Sequence, residues 1–223
     1  MEQKKGKLAV ISGFSGVGKG TVVRKLLEKY PYELSVSATT RSPRPGEVDG
    51  VSYFFITEEE FEQMIAEDGF FEWARYVEHY YGTPKQFVFN KLAEGKDVIL
   101  EIETVGALKV KDAYPEAMLI FMLPPSMETL ARRLRGRGTE SEEVISKRLR
   151  KAALEVEKIS KYDYIIVNDQ LDECVEELNH MIQTGEGTRP EDSELLKQLT
   201  QEAAPEEANP QASTQQKEPN EEA

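Results

Sequence analysis

Four short and almost uninterrupted apolar runs punctuate the chain, at residues 8–12, 97–102, 118–123 and 164–167. Runs of that length without polar alternation belong to strands buried on both faces, as in a parallel sheet covered by helices. Between them, apolar residues recur at helical spacing over residues 19–29, 84–93, 104–113, 126–134, 141–159 and 171–183. This alternation predicts an α/β fold with a mostly parallel sheet. Residues 35–83 interrupt it with Tyr53-Phe54-Phe55, a helical stretch over residues 58–66 and Phe70-Phe71-Glu72-Trp73, which read as an inserted, partly antiparallel subdomain. No internal repeat is visible.

Composition divides the chain in two. The 223 residues carry 41 acidic and 28 basic side chains, a net charge of −13. Residues 184–223 hold ten of those acids and three of the bases, contain no aromatic residue and are rich in Glu, Gln, Pro, Ala, Thr and Asn. Such a segment buries too little apolar surface to offset its ordering entropy and is expected to be a disordered tail. Its one amphipathic fragment, residues 191–201 with Leu195, Leu196 and Leu199, reads either as a fraying stretch of that tail or as a short helix that docks. A folded domain over residues 1–183 remains, with an insert at about 35–85.

The acidic balance argues against nucleic acid or an anionic membrane as partner, because the summed field repels polyanions. It leaves room for small anions in a local basic pocket. One cysteine and two histidines supply neither an internal disulfide nor a structural zinc site, so Cys174, His79 and His180 are expected to be structural only. With no long apolar segment and no hydrophobic core near the N-terminus, a soluble cytoplasmic protein is expected.

The first apolar run leads directly into Gly13-Phe14-Ser15-Gly16-Val17-Gly18-Lys19-Gly20-Thr21 and then a helical stretch. Strand, glycine-rich loop and helix in that order, with Gly13, Gly18 and Lys19 at this spacing, match a P-loop. Its glycines let successive backbone N–H groups face one phosphate, the helix N-terminus adds positive potential, and Lys19 reaches the β- and γ-phosphates. The hydroxyl that usually follows the lysine is displaced by one position, from Gly20 to Thr21. The Gly-Lys-Gly-Thr form resembles nucleoside-monophosphate kinases, in which the hydroxyl meets phosphate and water completes the Mg²⁺ shell.

A second cationic locus lies in the insert, where Arg41 and Arg44 stand three apart beside Pro45-Gly46 and Asp49-Gly50 turns. Their planar forks suit a phosphate dianion. From Ser35 through Phe54 the sequence closely resembles the guanylate kinase family. The match continues at Phe71-Glu72-Trp73-Ala74, Tyr80-Tyr81-Gly82-Thr83, Gly136-Arg137-Gly138-Thr139-Glu140, Lys147-Arg148-Leu149 and Val167-Asn168-Asp169, so that residues 6–183 align in order.

The resemblance implies a P-loop sheet with a mixed-sheet GMP-binding insert and a mobile lid at about 136–147. It implies phosphate transfer from ATP to GMP, with dGMP a second acceptor and Mg²⁺ the cofactor. By it, residues 13–21 and Asn168 bind ATP, Arg41, Arg44, Tyr53 and Tyr81 hold the GMP phosphate, and Ser37, Glu72 and Thr83 read guanine. Glu101 and Glu103, two apart at the end of one strand and hence on one face, would meet guanine or metal-bound water near Thr21. Glu103 stands where the family usually has Asp and Val105 where it often has Gln; Glu101 reads equally as an ion-pair support for Arg44. Lys19, Arg137 and Arg148 would neutralise the transferring phosphoryl group, the metal being held through phosphate and water rather than by a direct protein ligand. Arg132 and Arg133 read as lid arginines or as solvated helix residues. Two other activities compete, a catalytically silent interaction module and a kinase for another monophosphate, and monomer and homodimer both stand open.

Overall fold

The computed structural model describes residues 5–76, 78–136 and 141–203. The elements run β1 (Leu8–Gly13), α1 (Lys19–Lys29), β2 (Glu33–Leu34), β3 (Ala38–Thr39), β4 (Phe54–Phe55), α2 (Glu58–Ala66), β5 (Phe70–Tyr76), β6 (His79–Pro84), α3 (Lys85–Ala93), β7 (Val98–Glu101) and α4 (Thr104–Ala113). They continue with β8 (Met118–Leu123), α5 (Met127–Arg135), α6 (Glu142–Val156), β9 (Tyr164–Val167), α7 (Leu171–Thr184) and α8 (Glu194–Ala203).

Five strands form one parallel sheet in the order β2-β7-β1-β8-β9. All six residues of β1 are buried, as are five of the six in β8, which is why these strands show apolar runs rather than alternation. Ile11 pairs with Glu101, so the loop after β1 and the acidic end of β7 leave the sheet side by side. That is the carboxyl edge, where open α/β sheets bind ligands.

The insert is a separate four-stranded sheet in the order β4-β3-β6-β5, with β3 and β4 parallel and the other two pairings antiparallel. It has its own small core, in which Phe61 stacks on Phe70 with ring centroids 4.3 Å apart and on Tyr80 at 5.1 Å. Helix α2 above that core begins with a reciprocal cap: Glu60 N–H donates to Thr57 Oγ1 while Thr57 N–H donates to the Glu60 carboxylate. The insert is therefore a braced platform, and β5 and β6 carry its functional side chains inward.

The expected disorder of residues 184–223 needs correction. Through Ala203 the segment packs on the domain, as a 3₁₀ turn at Pro190–Asp192 followed by α8. Leu199 is fully buried and Leu196 nearly so, both within the main core. Thr188 C=O accepts from Ile165 N–H on the edge strand β9. Of the two readings of residues 191–201, a fraying stretch or a docked helix, the structure has the docked helix. The rest of the predicted tail, residues 204–223, lies outside the described residues.

Candidate active site

The P-loop surrounds a cleft of about 410 Å³ lined by Phe14, Ser15, Gly16, Gly18, Lys19, Gly20, Thr21, Arg24, Glu101 and Glu103. Phe14 and Val17 are fully buried, and the Val17 backbone is already engaged, its N–H donating to the Phe14 carbonyl at 3.1 Å and its carbonyl accepting from Asn168. Gly18 adopts φ 102°, and a side chain there would meet Asn168 Nδ2 at 2.6 Å, so glycine is required on both counts. Lys19 Nζ donates to the Gly13 carbonyl at 2.7 Å, curling over the loop. Burial lowers the Lys19 pKa, while Glu103, Glu101 and Glu155 oppose the shift.

A second cleft, of about 440 Å³, opens beneath the insert and is lined in part by Ser37, Tyr53, Glu72, Tyr81, Glu101 and Glu103. At its inner end Thr83 Oγ1 donates to Glu72 Oε1 at 2.8 Å. Burial raises the Glu72 pKa, opposed by that hydrogen bond and by Lys109. The Arg41 guanidinium lies 5.4 Å from the ring centroid of Tyr53, a lining residue, and Tyr53 meets Tyr81 edge to face at 6.1 Å. Arg41 is bound through two nitrogens to Glu47, at 2.8 and 2.9 Å, and Glu47 also accepts from Arg44 N–H at 2.7 Å. The paired guanidinium pulls the Glu47 carboxyl down to about 2.

Most of the expected residues thus converge, with several departures. Arg44 is exposed on the turn and Glu101 forms no ion pair with it among the described residues; Glu101 feels Lys19 and Glu103 instead. Burial raises the Glu101 pKa. Glu103 is not on β7, because the strand ends at Glu101 and Glu103 is the residue that caps α4. Burial would raise its pKa too, but Lys151, with Nζ 2.8 Å from its carboxylate, and then Lys19 and Arg148 bring it below the ordinary value.

Arg148, on α6, donates to Ser15 Oγ at 2.5 Å and so already reaches the loop. Arg137 and the other residues of 137–140 lie outside the described residues; of the expected lid, residues 142–147 form the first turns of α6. Asn168 is buried and turns its side-chain amide to the Val17 carbonyl at 2.8 Å, not toward open space. Arg133 donates to the carbonyls of both Val17 and Asn168, whereas Arg132 is exposed. Cys174 is buried, and burial pushes its thiol up to about 12, in line with a structural role.

Sequence reasoning missed Arg24, Lys109 and Glu47. Arg24 follows Lys19 by five positions on α1, which does not place the two on one helix face, and Lys109 and Glu47 carry no motif. For a divalent ion, the cleft offers the Glu101 carboxylate and Thr21 hydroxyl at the loop. No cluster of three or more His, Cys, Asp or Glu occurs among the described residues. Such hard but sparse donors fit Mg²⁺, which keeps water and phosphate oxygens in its shell.

Two nucleotide-sized clefts meeting at Glu101 and Glu103 call for comparison with known phosphotransferases. The guanylate kinase family model matches residues 5–185. The chain belongs to the guanylate kinase family. It is 56% identical over 181 residues to the guanylate kinase of Caldanaerobacter subterraneus subsp. tengcongensis, covering 81% of this chain and 88% of that one. It is 54% identical to that of Synechocystis, with 80% and 94% covered. Among solved structures, guanylate kinase from Anaplasma phagocytophilum superposes with a TM-score of 0.63 at 32% identity, over 83% of this chain and 88% of that one. The activity is therefore ATP-dependent phosphorylation of GMP, a guanylate kinase reaction with ATP and GMP as substrates. The silent-module and other-monophosphate alternatives fall away.

Proposed function

We propose that ATP occupies the P-loop cleft and GMP the cleft beneath the insert, with the reacting phosphates meeting over Glu101 and Glu103. The observation that carries this reading is the pair of side chains shared by the two clefts. Arg41, Tyr53 and Tyr81 receive the GMP phosphate, with Arg44 swinging in from its exposed turn. Ser37, Glu72 and Thr83 read the base. An ionised Glu72 accepts from guanine N1–H and the 2-amino group together, whereas adenine presents an acceptor at N1 and no donor at C2, leaving the carboxylate unpaired. Among the described residues none is assigned to the 2′-hydroxyl in this reading, and dGMP is proposed as a second acceptor.

The P-loop N–H groups hold the donor phosphates, and Lys19, Arg148 and Arg137 neutralise charge on the transferring group. Phosphoryl transfer needs little covalent help, so this in-line alignment and charge compensation are the catalytic contribution of the protein. Glu101 and Thr21 would help hold Mg²⁺ through its waters. Held there, Mg²⁺ would supply positive charge to offset that of the donor phosphates. Closure of a lid at about 136–147 would exclude water from the phosphoryl group. A cytoplasmic setting, where thiols stay reduced, agrees with the lone buried Cys174.

An assay coupled to ADP release, run with Mg²⁺ and with GMP, dGMP, IMP or AMP as acceptor, tests the assignment. GMP and dGMP should turn over well, IMP poorly and AMP hardly at all, and Glu72→Gln should lose the preference for GMP. An unchanged acceptor ranking in that variant would overturn the assignment of Glu72.

A further inference from the structure

We infer that Gly106 is a specificity-determining position: its lack of a side chain makes the seat in which the Glu72 carboxylate lies against α4. This rests on the reading of Glu72 as the guanine acceptor. Gly106 stands at the third residue of α4, a helix it can only weaken, since glycine is a poorer helix former than alanine. Its backbone gives no reason for glycine, because Gly106 is not among the positive-φ residues. The reason is space. A methyl group at this position would stand 3.1 Å from Glu72 Cγ, 3.2 Å from Oε2 and 3.3 Å from Cδ.

These approaches are closer than ordinary carbon contacts, which lie near 3.5–4.0 Å. The other side of the carboxylate is fixed, because Oε1 accepts from Thr83 Oγ1 at 2.8 Å and Thr83 itself is buried. Glu72 is thus gripped between a hydroxyl on β6 and a bare helical turn on α4. A side chain at Gly106 therefore requires Glu72 to give by a few tenths of an ångström, away from α4 and against its hydrogen bond to Thr83 or toward the space the base would fill. Val105 and Lys109, neighbouring positions on α4, line the same cleft, so the helix forms one of its walls.

The test is Gly106→Ala. Because alanine favours the helix, the melting temperature should hold or rise. KM for GMP should nevertheless increase about tenfold, with KM for ATP within about twofold of the parent and with the GMP preference over IMP and AMP reduced. A fall in stability alone, or equal changes in both KM values, would assign Gly106 a packing role and overturn the inference. The double variant Glu72→Asp/Gly106→Ala supplies a second readout. The shorter acid leaves room for the methyl, so the combined loss in GMP kcat/KM should be smaller than the product of the two single losses; strictly multiplicative effects would also overturn it. If Glu72→Gln retains full GMP preference, the base-recognition reading fails first. If Glu72→Gln loses it and Gly106→Ala keeps a normal KM for GMP, only the seat is refuted.

Discussion

The Asn168 side-chain amide donates to the Val17 carbonyl at 2.8 Å, so the end of β9 holds the phosphate loop from behind. Arg133 reinforces the same point from α5, donating to Val17 at 3.2 Å and to the Asn168 carbonyl at 2.8 Å. The loop that must present its N–H groups to phosphate is thereby tied to the sheet edge and to the helix that leads toward residues 137–140.

This fastening separates two roles for Asn168. As a loop tether, its replacement by alanine should lower stability by about 1–2 kcal/mol and raise KM for ATP while leaving KM for GMP nearly unchanged. As an adenine contact alone, it would leave stability untouched. Thermal unfolding together with kinetics at varied ATP and varied GMP decides between them.

Arg148 reaches Ser15 at 2.5 Å from α6, which places a guanidinium beside the loop that receives the donor phosphates. Substitution by alanine should cut kcat on the order of 10³-fold, as for arginines that stabilise phosphoryl transfer. Lysine should restore little of it, because an ammonium lacks the planar fork. Equilibrium binding of each nucleotide alone should change far less than kcat, a split that single-turnover measurements would show.

Glu72 must be ionised to accept two donors from guanine, yet burial raises its pKa. As pH falls through that raised pKa the carboxylate protonates and loses an acceptor, so GMP affinity is retained above it and lost below it. The acid limb of kcat/KM for GMP should therefore lie above the ordinary glutamate value of about 4.3. Lys109 opposes the shift, so Lys109→Met should move the limb to still higher pH. A limb unmoved by that substitution would remove Lys109 from the site.

How far these relationships could be read in advance depends on whether their cause is local. The strands β1, β7, β8 and β9 were legible because burial on both faces leaves an apolar run in the sequence itself. The P-loop was legible because its backbone demands glycine at set positions. Strand β2 was not, since Glu33–Leu34 is too short for any period to show. The Glu47 pairing with Arg41, the approach of Lys109 to Glu72 and the turn of Asn168 toward Val17 are tertiary facts with no trace in spacing. Glu103 lies two residues past the strand end, at the N-cap position of α4, so it shares a cleft with Glu101 without sharing a strand face.

The last such relationship concerns the segment beyond the family match, which ends at residue 185. There α8 buries Leu196 and Leu199 in the main core, and its Glu202 carboxylate accepts from Met127 N–H at the start of α5. Arg189 lies over the Tyr164 ring, with its guanidinium carbon 5.9 Å from the centroid, where β9 would otherwise show an open edge. Because α8 rests on α5 and α6, and α6 carries Arg148, loosening it should act on both stability and catalysis. Leu199→Ala should cost about 2–5 kcal/mol, as for a fully buried leucine, and Glu202→Gln much less, since that carboxylate is exposed and its neutral replacement still accepts a hydrogen bond. A chain ending at residue 203 should match the full chain in melting temperature and kcat, whereas one ending at residue 185 should melt lower and show reduced kcat even well below its transition. Equal stability in those two truncated forms would mean that α8 contributes nothing to the fold, despite the burial of its leucines.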